Sequence, residues 1–259
     1  MEFESIIREM AEDQVHGASW YFKRAVDAAR AAVGIIEVDR LVSALRSVRP
    51  GMASLEFVAT AITRFGLSMN TVEALRRYGD SAALALAEAG RRMRVGTMLT
   101  ISYSSAVASA FGQSIRYALE SRPGSEAVEL ARRFPWIRLV PDLAMAQFAG
   151  EVDGIAMGAD GIYSGVVLNK VGSLPLALVA RRLGKPLLVV AESFKALPRD
   201  VDCGGIHSVE INGLRVKLFD CVPNELVDEF ITDVGEFRPG QGLASDIHEA
   251  AMNELMKFL

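Results

Sequence analysis

After Gly96 the chain stops following a helical pattern and begins to alternate, and this alternation restricts its fold more than any other feature. Short β-rich apolar runs, "TMLTIS", "IRYALE", "WIRLV", "DGIAMG" and "PLLVVAES", are separated by runs of helical spacing, "SAVASAF", "SEAVELARRF", "LAMAQFAG" and "LPLALVARRLG". Consecutive parallel strands need a crossover to bring the chain back, and a helix is the usual one, so the pattern predicts βαβ units and a doubly wound parallel sheet. Up to Arg94 the apolar residues recur at helical spacing instead, as in "VDRLVSALRSV" and "ASLEFVATAITRF", with no strand pattern. The expected class is therefore α/β, with a helical N-terminal domain over residues 1–94 and a doubly wound sheet domain over 95–259. Two later runs, "VEIN" and "RVKLF", are expected as strands at a sheet edge, and the Asn-Gly of "INGLRV" signals a hairpin.

Composition removes several classes of function. With 51% hydrophobic residues in 259, the chain can bury a large core. Its net charge of −4 and pI near 5.5 argue against a nucleic-acid partner held by a basic face, because phosphate neutralisation dominates that binding. The basic tract "RRMR", Arg91 to Arg94, is expected as a solvated helix end. Cys203 and Cys221 have no CxxC partner, and His16, His207 and His248 are scattered, so neither a metal site nor a disulfide is expected, and no cofactor. The charged start "MEFESIIREM" lacks the apolar core of a signal peptide, and no run reaches the ~18 apolar residues of a membrane span. A reducing cytoplasm is the expected location.

The stretch "MGADGIYSGVVLNKVGS", Met157 to Ser173, ends an apolar strand with Asp160 and places Asn169 and Lys170 just ahead of a Gly and a helix. Open α/β sheets bind ligands at strand ends, and helix starts attract anions, so the three residues point to a small anionic ligand. Each also has a plainer reading: Asp160 as a polar strand terminus, Lys170 as a side chain snorkelling to solvent. In "TISYSSAV" the hydroxyls of Ser102, Ser104 and Ser105 meet a helix start, where Ser serves as an N-cap or as a phosphate donor. Arg122 in "ESRPGSEA" is either a solvated turn residue or a bidentate phosphate contact. Arg49 and Pro50 stand at an expected helix entrance, and His16, Gly17 and Ala18 are read either as a close helix packing or as part of the ligand-binding site. The chain has no P-loop, no GxGxxG after its first strand and no GxSxG.

Taken together and in order, "RPGMASL", "TISYSSAV", "ESRPGSEAVELA", "GADGIYSGVVLNKVGS", "PLLVVAESFK" and "LFDCVPNELVDEFIT" resemble the translation initiation factor two-B alpha, beta and delta subunits. That superfamily includes archaeal ribose-1,5-bisphosphate isomerase and methylthioribose-1-phosphate isomerase. The resemblance runs from Val15 to Asp233 and implies a Rossmann-like second domain, a homodimer or higher homo-oligomer, and a ligand between the domains. It implies a catalytic acid/base at Asp160, sugar-phosphate ligands at Asn169 and Lys170, and phosphate-binding arginines at Arg49 and Arg122. Two departures qualify it: the isomerases carry His-Cys where this chain has Ile101 and Ser102, and Arg before Gly-Ala where it has His16. An unassisted Ser hydroxyl is a far poorer base than a thiolate. The expectation is an archaeal-type regulatory protein that binds a phosphorylated metabolite and contacts a translation initiation factor, without catalysis. The alternatives are an aldose-ketose isomerase of a sugar 1-phosphate and a structural oligomer with a vestigial cleft.

Overall fold

A computed structural model describes residues 2–13, 16–204 and 208–259; Val15 and His207, named above, lie outside the described residues. Five helices form a first layer: α1 (Glu2–Glu12), α2 (Ala18–Ala32), α3 (Val38–Val48), α4 (Ala53–Phe65) and α5 (Met69–Arg92). Helical spacing puts Tyr21, Phe22, Ala25, Val26 and Ala29 on the buried face of α2. Nine of the thirteen residues of α4 are buried, which makes it the centre of this layer. The Ser68 hydroxyl starts α5 by accepting from the Thr71 N–H at 3.1 Å.

The chain then alternates through β1 (Met98–Ile101), α6 (Ser105–Phe111), β2 (Ile115–Leu119), α7 (Ala127–Arg133), β3 (Arg138–Val140), α8 (Met145–Gly150) and β4 (Gly154–Met157). After β5 (Gly161–Ile162) and β6 (Val166–Lys170) come α9 (Ser173–Leu183), β7 (Leu187–Val190), β8 (Ser208–Ile211), β9 (Leu214–Lys217), β10 (Phe219–Pro223), β11 (Glu229–Thr232), β12 (Gly235–Phe237) and α10 (Leu243–Met256). The main sheet has the order β12-β11-β7-β4-β1-β2-β3, parallel except for the β11–β12 pair. All residues of β1, β4 and β7 are buried, as strands covered on both faces require. Leu99, Ile101, Ile155 and Met157 pack with Leu176, Ala177 and Ala180 of α9 on one face. Met98, Ala156, Leu188 and Val190 pack on the other with Leu86 of α5 and with Val107 and Phe111 of α6.

The helical layer and the sheet are joined by apolar contact. Phe194, just after β7, stacks on Phe22 with ring centroids 4.0 Å apart. Helix α10 contributes Leu243 and Ile247 to the sheet core and Ala251, Met252 and Leu255 to the helical core, so the last helix bridges both. The strand order reverses between β1 and β4, and that switch point is where an open α/β sheet leaves a crevice.

Four expectations are corrected. The β8–β9 hairpin turns at Asn212-Gly213, both with positive φ as an Asn-Gly turn favours, but it forms its own two-stranded sheet instead of an edge of the main one. Phe219 belongs to β10, which pairs antiparallel with β6 in a separate three-stranded sheet. Cys203 and Cys221 form a disulfide, against the expectation of none, because β10 returns beside the loop that carries Cys203 and brings their Cα atoms to 6.1 Å. Pro50 does not open a helix: Arg49 caps the end of α3, Gly51 turns the chain with φ +85°, and α4 begins at Ala53.

Candidate functional site

Helix and sheet layers enclose a cleft at the switch point. Its first chamber, of about 560 Å³, is lined by Ser102, Ser104, Ser105, Gly158 and Asp160 from the strand ends, and by His16 to Trp20 and Arg49 from the helical layer. Asn169, Lys170, Lys195, Glu126 and Phe219 complete the wall. A second chamber of about 660 Å³ shares His16, Arg49, Asp160 and Phe219 with the first and continues past Pro50, Met52, Tyr163 and Arg199.

Asp160 follows β4, and its own N–H donates to the Leu168 carbonyl at 2.8 Å, which ties the turn to β6. Its carboxylate faces the Ala18 N–H at the start of α2. Burial raises the carboxyl above its ordinary range, although Lys195, the Ala18 amide, Arg49 and Lys170 all pull it down. A carboxyl so placed can hold and release a proton nearer neutrality than a solvated one. Gly158 is needed for close approach: a Cβ there would fall 2.5 Å from the Ser104 Oγ, so β4 passes too near the β1–α6 junction for any side chain.

Lys170 does not snorkel; it is buried and its Nζ contacts Glu126 Oε1 at 2.5 Å. Asn169 is buried beside it, its Nδ2 donating to Ser173 Oγ at 2.8 Å. The α9 start that was expected to attract an anion already has one: Asp220 Oδ2 accepts from the Gly172 and Leu174 N–H groups at 2.8 and 3.0 Å.

At the β1–α6 junction Ser104 is the N-cap, its Oγ accepting from Val107 N–H at 3.3 Å. Ser102 has φ +63°, and its N–H donates to Ser121 Oγ at 2.6 Å. Its hydroxyl makes no hydrogen bond to a histidine or carboxylate among the described residues. Ile101 is buried in the sheet core, not presented to the cleft.

On the helical wall Arg49 lies over the Tyr21 ring, 4.5 Å from its centroid, and donates to the Asp13 carbonyl at 2.6 Å. His16 stacks on Trp20, with ring centroids 4.4 Å apart, and its Nδ1 meets Asp13 Oδ1 at 2.6 Å. Gly17 is the N-cap of α2, which puts the Ala18 amide at the helix start on the side of Asp160, and His16, Gly17 and Ala18 all line the first chamber.

Arg122 stands apart from these residues. Its side chain is 68% exposed, its Nε faces Glu120 at 3.3 Å, and it does not line either chamber. Asp142 fixes its turn by accepting from the Ser121 and Arg122 N–H groups, both at 2.8 Å.

Sequence reasoning missed Lys195 and its partner Glu192. They pair at 2.9 Å with both side chains nearly buried, and Ser19 Oγ donates to Glu192 Oε1 at 2.9 Å. Burial pushes the Glu192 carboxyl up, but Lys195, a backbone amide and Ser19 together hold it below its ordinary value. In "AESFK" a Glu and a Lys three apart directly follow an apolar strand, a spacing that an ordinary surface pair shares. The first chamber thus brings Arg49, Lys170 and Lys195, each with a partner, together with the Asp160 carboxyl.

A family model described as the Initiation factor 2 subunit family matches residues 95–239. A translation initiation factor eIF-2B subunit 2-like protein of Pyrococcus horikoshii is 30% identical over 261 residues, covering 89% of this chain and 94% of that protein. A ribose 1,5-bisphosphate isomerase of Haloferax volcanii is 28% identical over 254 residues, covering 82% of this chain and 78% of that one. The crystal structure of the Pyrococcus horikoshii translation initiation factor eIF-2B superposes with a TM-score of 0.81 at 26% identity, covering 93% of this chain and 98% of that chain.

Proposed function

Since this chain belongs to the initiation factor 2 subunit family, we propose that it is an eIF-2B-like regulatory protein that binds a phosphorylated metabolite in the cleft without turning it over. The observation that carries this reading is the convergence of Arg49, Lys170 and Lys195 with Asp160 on one chamber. Clustered cations in a half-enclosed site favour an anion, and an arginine adds directional contacts to phosphate. Lack of turnover follows from the β1–α6 junction: an aldose-ketose shift needs two groups that move protons, and Ser102 offers none near neutral pH. The bound state would then act through contacts with a protein partner.

The test is a panel of sugar phosphates and nucleoside monophosphates in thermal melts and calorimetry. A binder present at 100 times its dissociation constant should add about 2.7 kcal/mol of stability. A panel that shifts neither melting nor heat sinks the reading.

The raised carboxyl of Asp160 and the likeness to the Haloferax isomerase favour a second reading, an isomerase of a sugar 1-phosphate. Wild-type protein incubated with ribose 1,5-bisphosphate separates the two. We expect no turnover above background, since loss of one acid/base group removes ~10²- to 10⁴-fold in rate. Ser102→Cys should gain a measurable rate that Asp160→Asn abolishes; a fast wild-type enzyme would replace the regulatory reading with the isomerase.

A further inference from the structure

The three cations of the first chamber differ in what holds them. Lys195 is locked to Glu192, both side chains are 6–7% exposed, and Ser19 secures the carboxylate from the helical layer. Arg49 gives a hydrogen bond to a main-chain carbonyl and rests on Tyr21. Lys170, only 8% exposed at its side chain, is held by Glu126, whose side chain is 35% exposed. Glu126 lies at the N-cap of α7 without capping it: its side chain makes no cap hydrogen bond. Its Oε1 contacts Lys170, while its Oε2 is buried and has no hydrogen-bond partner.

The charge on the wall matters as much as the contact. Arg49, Lys170 and Lys195 face Glu126, Glu129 and Asp160 around the same chamber, three formal positive charges against three negative. Withdrawal of Glu126 shifts this balance by one charge in favour of an entering phosphate. The Glu126 oxygen also holds a Lys170 Nζ donor that a phosphate oxygen could take, because a carboxylate and a phosphate compete for the same charged donors at similar distance.

We infer that Glu126 is an internal competitor for the anion site: its carboxylate occupies Lys170 as a stand-in ligand, and a phosphate binds by displacing it. The inference rests on the phosphometabolite reading proposed above. Of the two carboxylates that neutralise the chamber's lysines, Glu126 alone can leave at small cost. Glu192 would give up a hydrogen bond from Ser19 as well as its ion pair, from a side chain 7% exposed, whereas Glu126 gives up one contact from a side chain 35% exposed. Displacement makes the site selective for strong anions. A dianionic phosphate can replace a carboxylate on Lys170, while a ligand's own carboxylate gains nothing by the exchange.

The test compares ribose 5-phosphate binding by calorimetry in wild type, Glu126→Gln and Glu126→Ala, with Lys170→Gln introduced into the wild-type and Glu126→Gln backgrounds. Both Glu126 variants should bind the probe about 10-fold tighter than wild type, a gain of about 1.4 kcal/mol. Lys170→Gln should remove the gain. A second readout needs no affinity: inorganic phosphate should raise the melting temperature of Glu126→Gln more than that of wild type, because it restores a counterion to Lys170. If wild type binds the probe and the folded Glu126 variants bind equally or more weakly, Glu126 is a ligand contact and the inference falls while the phosphometabolite reading stands. If the gain survives Lys170→Gln, the competition is not at Lys170 and the inference falls as well. If neither wild type nor the variants bind the probe or any phosphate of the panel, both readings fall together.

Discussion

The two walls of the cleft are built in opposite ways. The sheet wall presents side chains that are buried and already paired, Lys170 with Glu126, Lys195 with Glu192 and Asn169 with Ser173. The helical wall presents an exposed His16, a half-buried Arg49 and a main-chain amide at Ala18. The difference follows from where each wall comes from. Residues at the ends of central strands are desolvated by the helices on both faces, so a charge there persists only with a partner. Residues at helix ends and connecting turns keep more water, so His16 and Arg49, which both meet Asp13, depend less on that contact. The sheet wall therefore fixes the electrostatics of the cleft, and the helical wall is the side free to adapt to a ligand.

The largest effect that would break this comparison concerns Lys195. If the sheet wall depends on internal pairing, Lys195→Met leaves the Glu192 carboxylate buried without its cation, and breaking such a pair costs about 3–5 kcal/mol. Urea denaturation should show that loss, and the double variant Lys195→Met/Glu192→Leu should recover most of it, since the cost lies in the orphaned charge. A single variant that loses less than about 1 kcal/mol would show that the wall is wet and that the contrast with the helical side is false.

A somewhat smaller effect tests what lies beneath the sheet wall. Asp233 accepts from the Ser193 N–H and Oγ–H at 2.5 and 2.8 Å, and Tyr78 of α5 reaches Ser193 Oγ at 2.6 Å, so one carboxyl joins the two layers. Burial pushes the Asp233 carboxyl up to about 6 from 3.8, against the pull of the Ser193 hydrogen bonds. The folded state therefore binds a proton that the unfolded chain releases earlier. Stability from this group is fully present below pH 3.8 and is lost as pH rises through about 6, an amplitude of about 3 kcal/mol. Asp233→Asn removes the titration, so the stability difference between variant and wild type should shift in the variant's favour by that amount between pH 4 and 7. A difference flat with pH would mean that the junction of the two walls is hydrated.

The comparison also explains what the sequence disclosed. Element type was legible almost throughout, because burial of a strand on two faces or a helix on one leaves a period in the residues, as in "LLVV" of β7 and the Tyr21, Ala25 and Ala29 face of α2. On the sheet wall Asp160, Asn169 and Lys170 were legible because polar residues interrupt a buried run, and the structure brings them to one chamber. Lys195 was not, since a Glu and Lys three apart have the spacing of an ordinary surface pair and only the fold reveals that both are buried. The Cys203–Cys221 bond was not legible either: a separation of 18 residues carries no motif, and the approach depends on β10 returning along β6. Arg122 shows the reverse error, a residue type suited to phosphate placed on a turn that faces solvent.

Arg122 and Arg49 supply the smallest and most discriminating measurement. Both are arginines beside a Pro-Gly turn, so sequence gives no reason to rank them. In the structure Arg49 lines both chambers while Arg122 lines neither. Truncating an arginine that bonds phosphate should cost about 2 kcal/mol of binding, as charged hydrogen bonds do. Truncating a solvated one should stay within about 0.5 kcal/mol. Calorimetry of ribose 5-phosphate with Arg49→Ala and Arg122→Ala should therefore give roughly a 30-fold weakening for the first and no more than about twofold for the second. Equal losses would mean that the Arg122 turn swings inward when ligand binds, carrying Glu126 with it, and that this loop of the sheet half shares the adaptability assigned here to the helical wall. A loss at Arg122 alone would go further: it would place the anion at the α7 entrance instead of against α2, and the helical wall would lose its part in binding.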